Sequence, residues 1–415
     1  MEAHQERIDW NIIQEYEKKF RHDVMAHIHA FGDACPKAKP IIHLGATSSF
    51  VTDNADLILL REGLSFLFAK LQLVLQALAK LARGHAKDPC LSYTHFQPAQ
   101  PTTIGKRIAL YLQDFYIDAK EWLRLISEIP FFGVKGATGT QASFLELLDE
   151  NHAKVLTLEK EVAAAFGFDH VLPIGGQTYT RKIDIQILSA LASFAASAHK
   201  FATDLRLLAH EGEWLETFEK DQVGSSAMPY KRNPIYSERI CGIARFAISI
   251  AENPSYTTAT QWLERSLDDS SNRRIAVPEA FLCADAILNL LLHLATGSQI
   301  KKEVALERLN RQLPLMAMEG ILMLAVKKGG SRQETHEILR KIAFHAIETT
   351  NPLATLIQEV EKKLKLSESE IKSLLQPHKL VGRAPEQTIE FLNETLDPFI
   401  RHHLKKSAPI FLIEN

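Results

Sequence analysis

Proline is missing from three long stretches of this chain: between Pro40 and Pro89, between Pro173 and Pro229, and between Pro278 and Pro314. An interior proline removes a helical hydrogen bond and clashes with the preceding turn, so each gap leaves room for a helix of roughly seven turns or more. The first gap repeats apolar residues in steps of three and four: Leu57, Leu60, Leu64, Leu67, Leu71, Val74, Leu78 and Leu81. The second repeats Ile187, Leu191, Phe194, Ala198, Phe201, Leu205 and Leu208 in the same way. That spacing lines one helix face, as in bundles crossing near +20°. Ile58, Phe66, Phe68, Leu73 and Ala77 add apolar surface elsewhere on the first helix, and a helix apolar on several sides is buried on several sides. A large bundle within one chain would do this; a central bundle built by several subunits does it better and is the expectation here.

Backbone punctuation is sparse throughout, with 19 glycines and 17 prolines in 415 residues. No stretch sustains period-two alternation, so any sheet should be minor. No fixed repeat suggests a solenoid. The expected fold is therefore all-α, a central long-helix bundle over 46–300 with a small N-terminal helical domain over 1–45. From about Lys301 shorter amphipathic segments follow (Val304–Gln312, Met316–Lys327, Gln333–Glu348, Asn351–Lys363, Glu368–Leu374, Glu386–Leu404), broken by polar runs such as Lys328-Gly329-Gly330-Ser331, and 301–415 is expected to form a C-terminal helical domain.

Charge excludes some partners. The 48 Lys and Arg nearly cancel 50 Asp and Glu, which does not suit a surface for nucleic acid or anionic membrane. Cys35, Cys90, Cys241 and Cys283 are scattered without a CxxC pair, so neither a disulfide framework nor a zinc ribbon is expected, and a reducing cytoplasm is the expected location. MEAHQERIDW has no apolar signal core, and the most apolar window, Ala286 to Ala295, is too short to span a bilayer. Nucleotide-hydrolysis and hydrolase motifs are absent, as is HExxH. His22, His27 and His29 do not share one helix face as metal ligands.

Four polar segments interrupt the helical texture. Arg21-His22-Asp23 opens a helix. His43-Leu44-Gly45-Ala46-Thr47-Ser48-Ser49 precedes the first long helix, where Thr47 and Ser48 suit helix capping and anion binding equally. Tyr93-Thr94-His95-Phe96-Gln97-Pro98-Ala99-Gln100-Pro101 holds a histidine in an irregular stretch, which on its own carries little weight. Gly224-Ser225-Ser226-Ala227-Met228-Pro229-Tyr230-Lys231-Arg232-Asn233-Pro234 cannot be regular helix. It crowds cationic and amide donors beside two hydroxyls, an arrangement suited to a carboxylate or an oxyanion.

This last segment resembles the signature loop of the fumarase/aspartase superfamily, and in its Ser-Ser-Ala-Met-Pro-Tyr-Lys-Arg-Asn-Pro form that of the adenylosuccinate lyase family. The segment Arg21 to His27, Thr94 to Gln100, Lys135-Gly136-Ala137-Thr138-Gly139-Thr140-Gln141-Ala142-Ser143-Phe144, Gly176-Gln177-Thr178-Tyr179-Thr180-Arg181-Lys182 and Arg265 to Arg274 support the narrower match in the right order. The resemblance implies a cofactor-free, metal-free lyase that releases fumarate from adenylosuccinate (giving AMP) and from the succinylcarboxamide ribotide SAICAR (giving AICAR). It implies a homotetramer with active sites shared between subunits.

It also implies roles. Ser225 is the base, Lys231 and Asn233 hold the developing aci-carboxylate, His95 is the general acid and Glu238 its orienting partner. His22 is placed in the site, flanked by Arg21 and Asp23. Arg265, Ser270 and Arg274 match phosphate contacts, and Arg239 matches a further substrate arginine. Thr47, Ser48 and Gln177 match positions holding the succinyl part, and Thr94 adjoins the acid. An upstream Arg-Tyr segment of the family has no counterpart before residue 21, so a shortened N-terminal domain is expected. Two alternatives are a non-catalytic oligomeric scaffold of the same fold and another fumarate-releasing lyase, such as one acting on argininosuccinate.

Overall fold

A computed structural model describes residues 1–6, 8–218, 222, 224 and 227–403 of the chain. The proline-free stretches are helical. Ser48–Gly84, Ile104–Glu128, Lys182–His210, Ile235–Ile250 and Asp268–Gly297 are the long helices. The stripe residues from Leu57 to Leu78 and from Ile187 to Leu208 are buried, with Leu81 half-buried. Burial of such side chains contributes about 1.5–3 kcal/mol each, which is what holds helices of this length together. The fold is all-α, as the periodicity requires.

One proline expectation is corrected. The helix containing Pro278 begins ten residues before it, at Asp268, and runs through it. Pro278 is exposed, so its ring lies at the surface of the helix and not in the packed core. The bilayer reading is also corrected. Ser48–Gly84 and Asp268–Gly297 each contain an 18-residue window, with mean hydropathy 1.5 and 1.8, that is long and apolar enough to cross a membrane by length and composition. Core helices buried on several sides meet the same measure.

Contacts divide the described chain into two compact units that are discontinuous in sequence. The first takes Met1–Phe68, Lys120–Ser193 and Phe246–Cys283; the second takes Ala69–Ala119, Phe194–Arg245 and the chain from Ala284 onward. The five long helices contribute residues to both.

In the second unit the C-terminal segments form helices Lys302–Met316, Met318–Lys327, Arg332–Ile347, Pro352–Leu364 and Glu368–Leu374. Ile321, Leu339, Ile342, Leu356, Val360 and Ile371 close a core among the last four. The expected helix from Glu386 is three consecutive pieces, Ala384–Glu390, a π-helical turn at Phe391–Leu396, and Asp397–His403. Two antiparallel ladders are the sheet content of the described residues: Pro89–Thr94 with Gln97–Thr103, and Trp214–Leu215 with Gln299–Ile300.

Candidate active site

The first unit contains a cavity of about 1210 Å³. Its walls come from the junction of two N-terminal helices, the start of Ser48–Gly84, the Gln177–Arg181 segment and the start of Asp268–Gly297. Arg21, His22, Asp23, Ser48, Gln177, Arg265, Ser270 and Arg274 all line it. Thr47 does not line it; its backbone carbonyl accepts from the Phe50 amide at 2.9 Å, at the start of the long helix.

Local structure explains these positions. Arg21 ends helix Trp10–Phe20 in the left-handed region, φ 55°. His22 is the N-cap of helix Asp23–Ala34, its Nδ1 accepting the Met25 amide at 3.4 Å. Because Nδ1 accepts, the ring proton of the neutral form lies on Nε2 and is donated to Ser48 Oγ at 3.2 Å. Asp23 accepts its neighbour's amide (Val24, 2.8 Å) and reaches Arg274 at 3.2 Å. Burial works to raise the Asp23 carboxyl, but the Val24 amide and Arg274 outweigh it and hold the group below its ordinary range.

Gln177 is placed by close backbone packing. Its amide donates to the Glu264 carbonyl and its Nε2 to the Ala137 carbonyl, both at 3.1 Å. A Cβ at Gly176 would stand 2.6 Å from the Glu264 oxygen, and one at Gly139 (φ +85°) would stand 1.8 Å from the Gly175 oxygen. Only glycine permits these three segments to meet, and their meeting sets Gln177 beside Arg265.

An ion network forms part of the cavity wall and extends behind it. Arg181 donates to Asp269 (2.7 Å) and Asp53 (2.8 Å), and Asp53 also accepts the Tyr179 amide (3.1 Å). Arg273 donates to Asp184 (2.6 Å), to Asp56 (3.0 Å) and to the Tyr179 hydroxyl. Tyr179 in turn donates to Asp184 at 2.6 Å. Burial raises the Tyr179 hydroxyl well above its ordinary value, with Asp184 adding to the effect, so it stays a donor.

The cavity thus presents Lys18, Arg21, Arg181, Arg265, Arg273 and Arg274 against Glu17, Asp23, Asp53 and Asp56. It also presents the N-terminus of helix Asp268–Gly297, where the helix dipole favours an anion. Sequence reading passed over Asp53, Asp56, Arg181 and Arg273. Charged residues on long helices were the available signal for Asp53, Asp56 and Arg273, whereas Arg181 precedes helix Lys182–His210.

The second unit carries the remaining residues. Thr94 and His95 sit at the tip of the hairpin, where His95 and Phe96 both have positive φ, 52° and 56°. This is the backbone that two-residue hairpin turns demand and that Asn-Gly normally supplies. Neither residue here is glycine, so the turn stores about 1–3 kcal/mol per residue. The hairpin is anchored from below: Arg107 donates to the Leu91 carbonyl at 2.5 Å, and Leu91 packs with Leu309 and Leu313.

In the loop, Asn233 donates to the Gly224 carbonyl at 3.1 Å, and Lys231 is exposed. Ser225 lies outside the described residues. Glu238 and Arg239 are exposed on the first turns of helix Ile235–Ile250. Glu216, which sequence reading missed, caps that helix by accepting the Tyr236 and Ser237 amides at 3.0 and 2.8 Å. Among the described residues no group of His, Cys, Asp and Glu is arranged to hold a metal ion.

An all-helical fold with a cationic cavity and a polar loop ahead of a helix defines a class, and the comparisons agree with it. Solved structures with this fold include the 3-carboxy-cis,cis-muconate lactonizing enzyme of Pseudomonas putida (TM-score 0.81, 22% identity, covering 96% of this chain and 87% of that one). A fumarate lyase of a Mesorhizobium species is another (TM-score 0.80, 24% identity, 94% and 87%). Residues 9–248 match the lyase family, so the chain is a lyase of the fumarase/aspartase type.

Residues 314–391 match the family described as adenylosuccinate lyase C-terminus. Adenylosuccinate lyases of Saccharomyces cerevisiae and Schizosaccharomyces pombe are each 48% identical, covering 92% and 94% of this chain and 81% and 83% of their own. That of Schistosoma mansoni is 46% identical, covering 97% and 85%. The chain belongs to the adenylosuccinate lyase family.

Proposed function

We propose that this protein releases fumarate from adenylosuccinate, leaving AMP, and from SAICAR, leaving AICAR, as steps of purine biosynthesis in the cytoplasm. The observation that carries this reading is the cavity, where cationic side chains and a helix N-terminus surround space large enough for a nucleotide bearing a phosphate and two carboxylates.

In the reaction the proton on the carbon beside a carboxylate passes to Ser225. The electrons of that C–H bond form the fumarate double bond, and the C–N pair leaves with the purine nitrogen, which His95 protonates. Deprotonation first builds charge on the carboxylate, so Lys231 and Asn233 serve as its donors. Glu238 orients His95 and favours its protonated form. Thr94 and Arg239 contact the substrate beside them, and no metal or other cofactor takes part.

We further infer a homotetramer whose active sites draw the cavity from one subunit and the hairpin and loop from others. Exposed apolar residues one heptad apart support it: Leu110 with Ile117 on helix Ile104–Glu128, and Ile275 with Leu282 on helix Asp268–Gly297. Isolated apolar residues on a surface need no partner, whereas repeated ones on long helices do.

The test is fumarate release by purified protein from each substrate. Turnover of both is expected, and a folded tetramer that releases no fumarate would refute the reading.

A further inference from the structure

We infer that Asp269 is a positioning residue for the phosphate-binding arginine Arg265, acting from behind the cavity wall with Arg181 as its fixed counter-ion. The inference rests on the function proposed above.

Asp269 is fully buried and is not part of the cavity lining, so it does not touch a ligand directly. Both its carboxylate oxygens face Arg265 Nη1, at 3.2 and 3.4 Å. A guanidinium has five N–H donors in a rigid fork, so engaging one nitrogen fixes the plane and leaves its other edge for an anion.

The carboxylate is itself pinned. Arg181 Nε donates to it at 2.7 Å, and the Arg181 side chain is only 2% exposed. Arg181 is held at its far end by Asp53. The aim of Arg265 is therefore set by a buried frame and not by the exposed segment it sits on.

Charge points the same way. A lone aspartate would neutralise Arg265 toward phosphate. Here Asp269 shares its charge with Arg181, and the N-terminus of helix Asp268–Gly297 adds positive potential beside it. Arg274 is the contrast: its side chain is 67% exposed and, among the described residues, pairs with the half-exposed Asp23 at 3.2 Å. Arg265 is the preset cation of the site and Arg274 the adjustable one.

The experiment measures AMP binding by calorimetry in phosphate-free buffer, together with steady-state turnover of adenylosuccinate. Asp269→Asn should weaken AMP binding by about 10- to 100-fold and raise KM at least as much, with kcat changed less than about threefold. Arg265→Gln should do the same. The double variant should lose no more than about threefold beyond the worse single, because the two side chains act as one unit.

Asp285→Asn removes the carboxylate from another buried cation, Lys70, which is paired at 2.5 Å and absent from the cavity lining. It should lower thermal stability while leaving AMP affinity unchanged, which separates positioning from general loss of stability. If Asp269→Asn yields no folded protein, Arg181→Lys takes its place. It keeps the charge but loses the Nε donor to Asp269, and should weaken AMP binding by about 3- to 10-fold.

AMP affinity within threefold of wild type in Asp269→Asn, or multiplicative losses in the double variant, overturns the inference. So does unchanged affinity in Arg181→Lys where that variant stands in. Wild-type protein that binds AMP but releases no fumarate refutes the proposed function alone; wild-type turnover with an insensitive Asp269→Asn refutes this inference alone.

Discussion

The cavity in the first unit and the hairpin tip in the second are built on opposite principles. Arg265, Arg273 and Arg181 are each fixed by buried carboxylates behind the wall. His95, by contrast, is exposed on a turn whose backbone conformation suits glycine. Holding a polyanion requires cations that do not reorganise, and a buried network supplies that. Removing one member would leave an uncompensated buried charge at a cost of about 3–5 kcal/mol. The proposed proton donor sits instead on the hairpin, at the expense of local strain.

The sharpest way to break this contrast is His95→Gly. Glycine adopts positive φ freely, so the hairpin should be stabilised by up to about 1 kcal/mol. Fumarate release should fall by about 100- to 10,000-fold, the usual range for a general acid. Thermal melting and turnover on the same preparation read both effects. A variant both less stable and fully active would show that neither strain nor acid catalysis resides at this position.

A smaller effect is expected at Glu216, which does for the second region what Asp269 does for the first. Its carboxylate satisfies two amides at the start of helix Ile235–Ile250, and it also accepts from Ser237 Oγ at 2.5 Å. Glu216→Ala should cost about 0.5–2 kcal/mol, the typical value of a lost N-cap. It should also reduce kcat several-fold, since Glu238 and Arg239 lie in the turns that fray. Urea denaturation and steady-state kinetics test this; normal kinetics in a destabilised variant would detach Glu238 from the chemistry.

How much of this was legible in the sequence follows from what imposes pattern. Burial along a helix imposes a 3.6-residue period, so the stripes at Leu57–Leu78 and Ile187–Leu208 could be read directly. The segment Gln97–Thr103 carries two prolines and no alternation, so the hairpin left no such trace. It is held by tertiary contacts from Arg107 and Leu309. The cavity cations Arg21, Arg265 and Arg274 stand in motifs and were found by them. Asp53 and Asp184 stand outside those motifs and Asp269 stands inside one with no role read from it, because an ion network among three distant segments has no period and no local signature.

Asp56 offers the finest test, because burial makes its ionisation work against the fold. Burial raises its carboxyl above the ordinary range, Arg273 offsets part of that, and the nearby Asp53 adds to it. As pH rises, the unfolded chain loses this proton first, near an ordinary value of about 3.9. The folded state then binds more protons than the unfolded one, so this group's contribution to stability falls until its raised folded value is passed. Asp23, held low, behaves in the opposite sense, its contribution being lost as pH falls. Asp56→Asn should therefore remove a component that declines from about pH 4 upward, leaving a flatter profile of melting temperature than wild type. Arg273 keeps Asp184 and Tyr179 as partners in that variant, so the network should survive the change. A profile with unchanged slope would mean that Arg273 fully compensates Asp56, and that the cavity wall is as preset there as it is at Arg265.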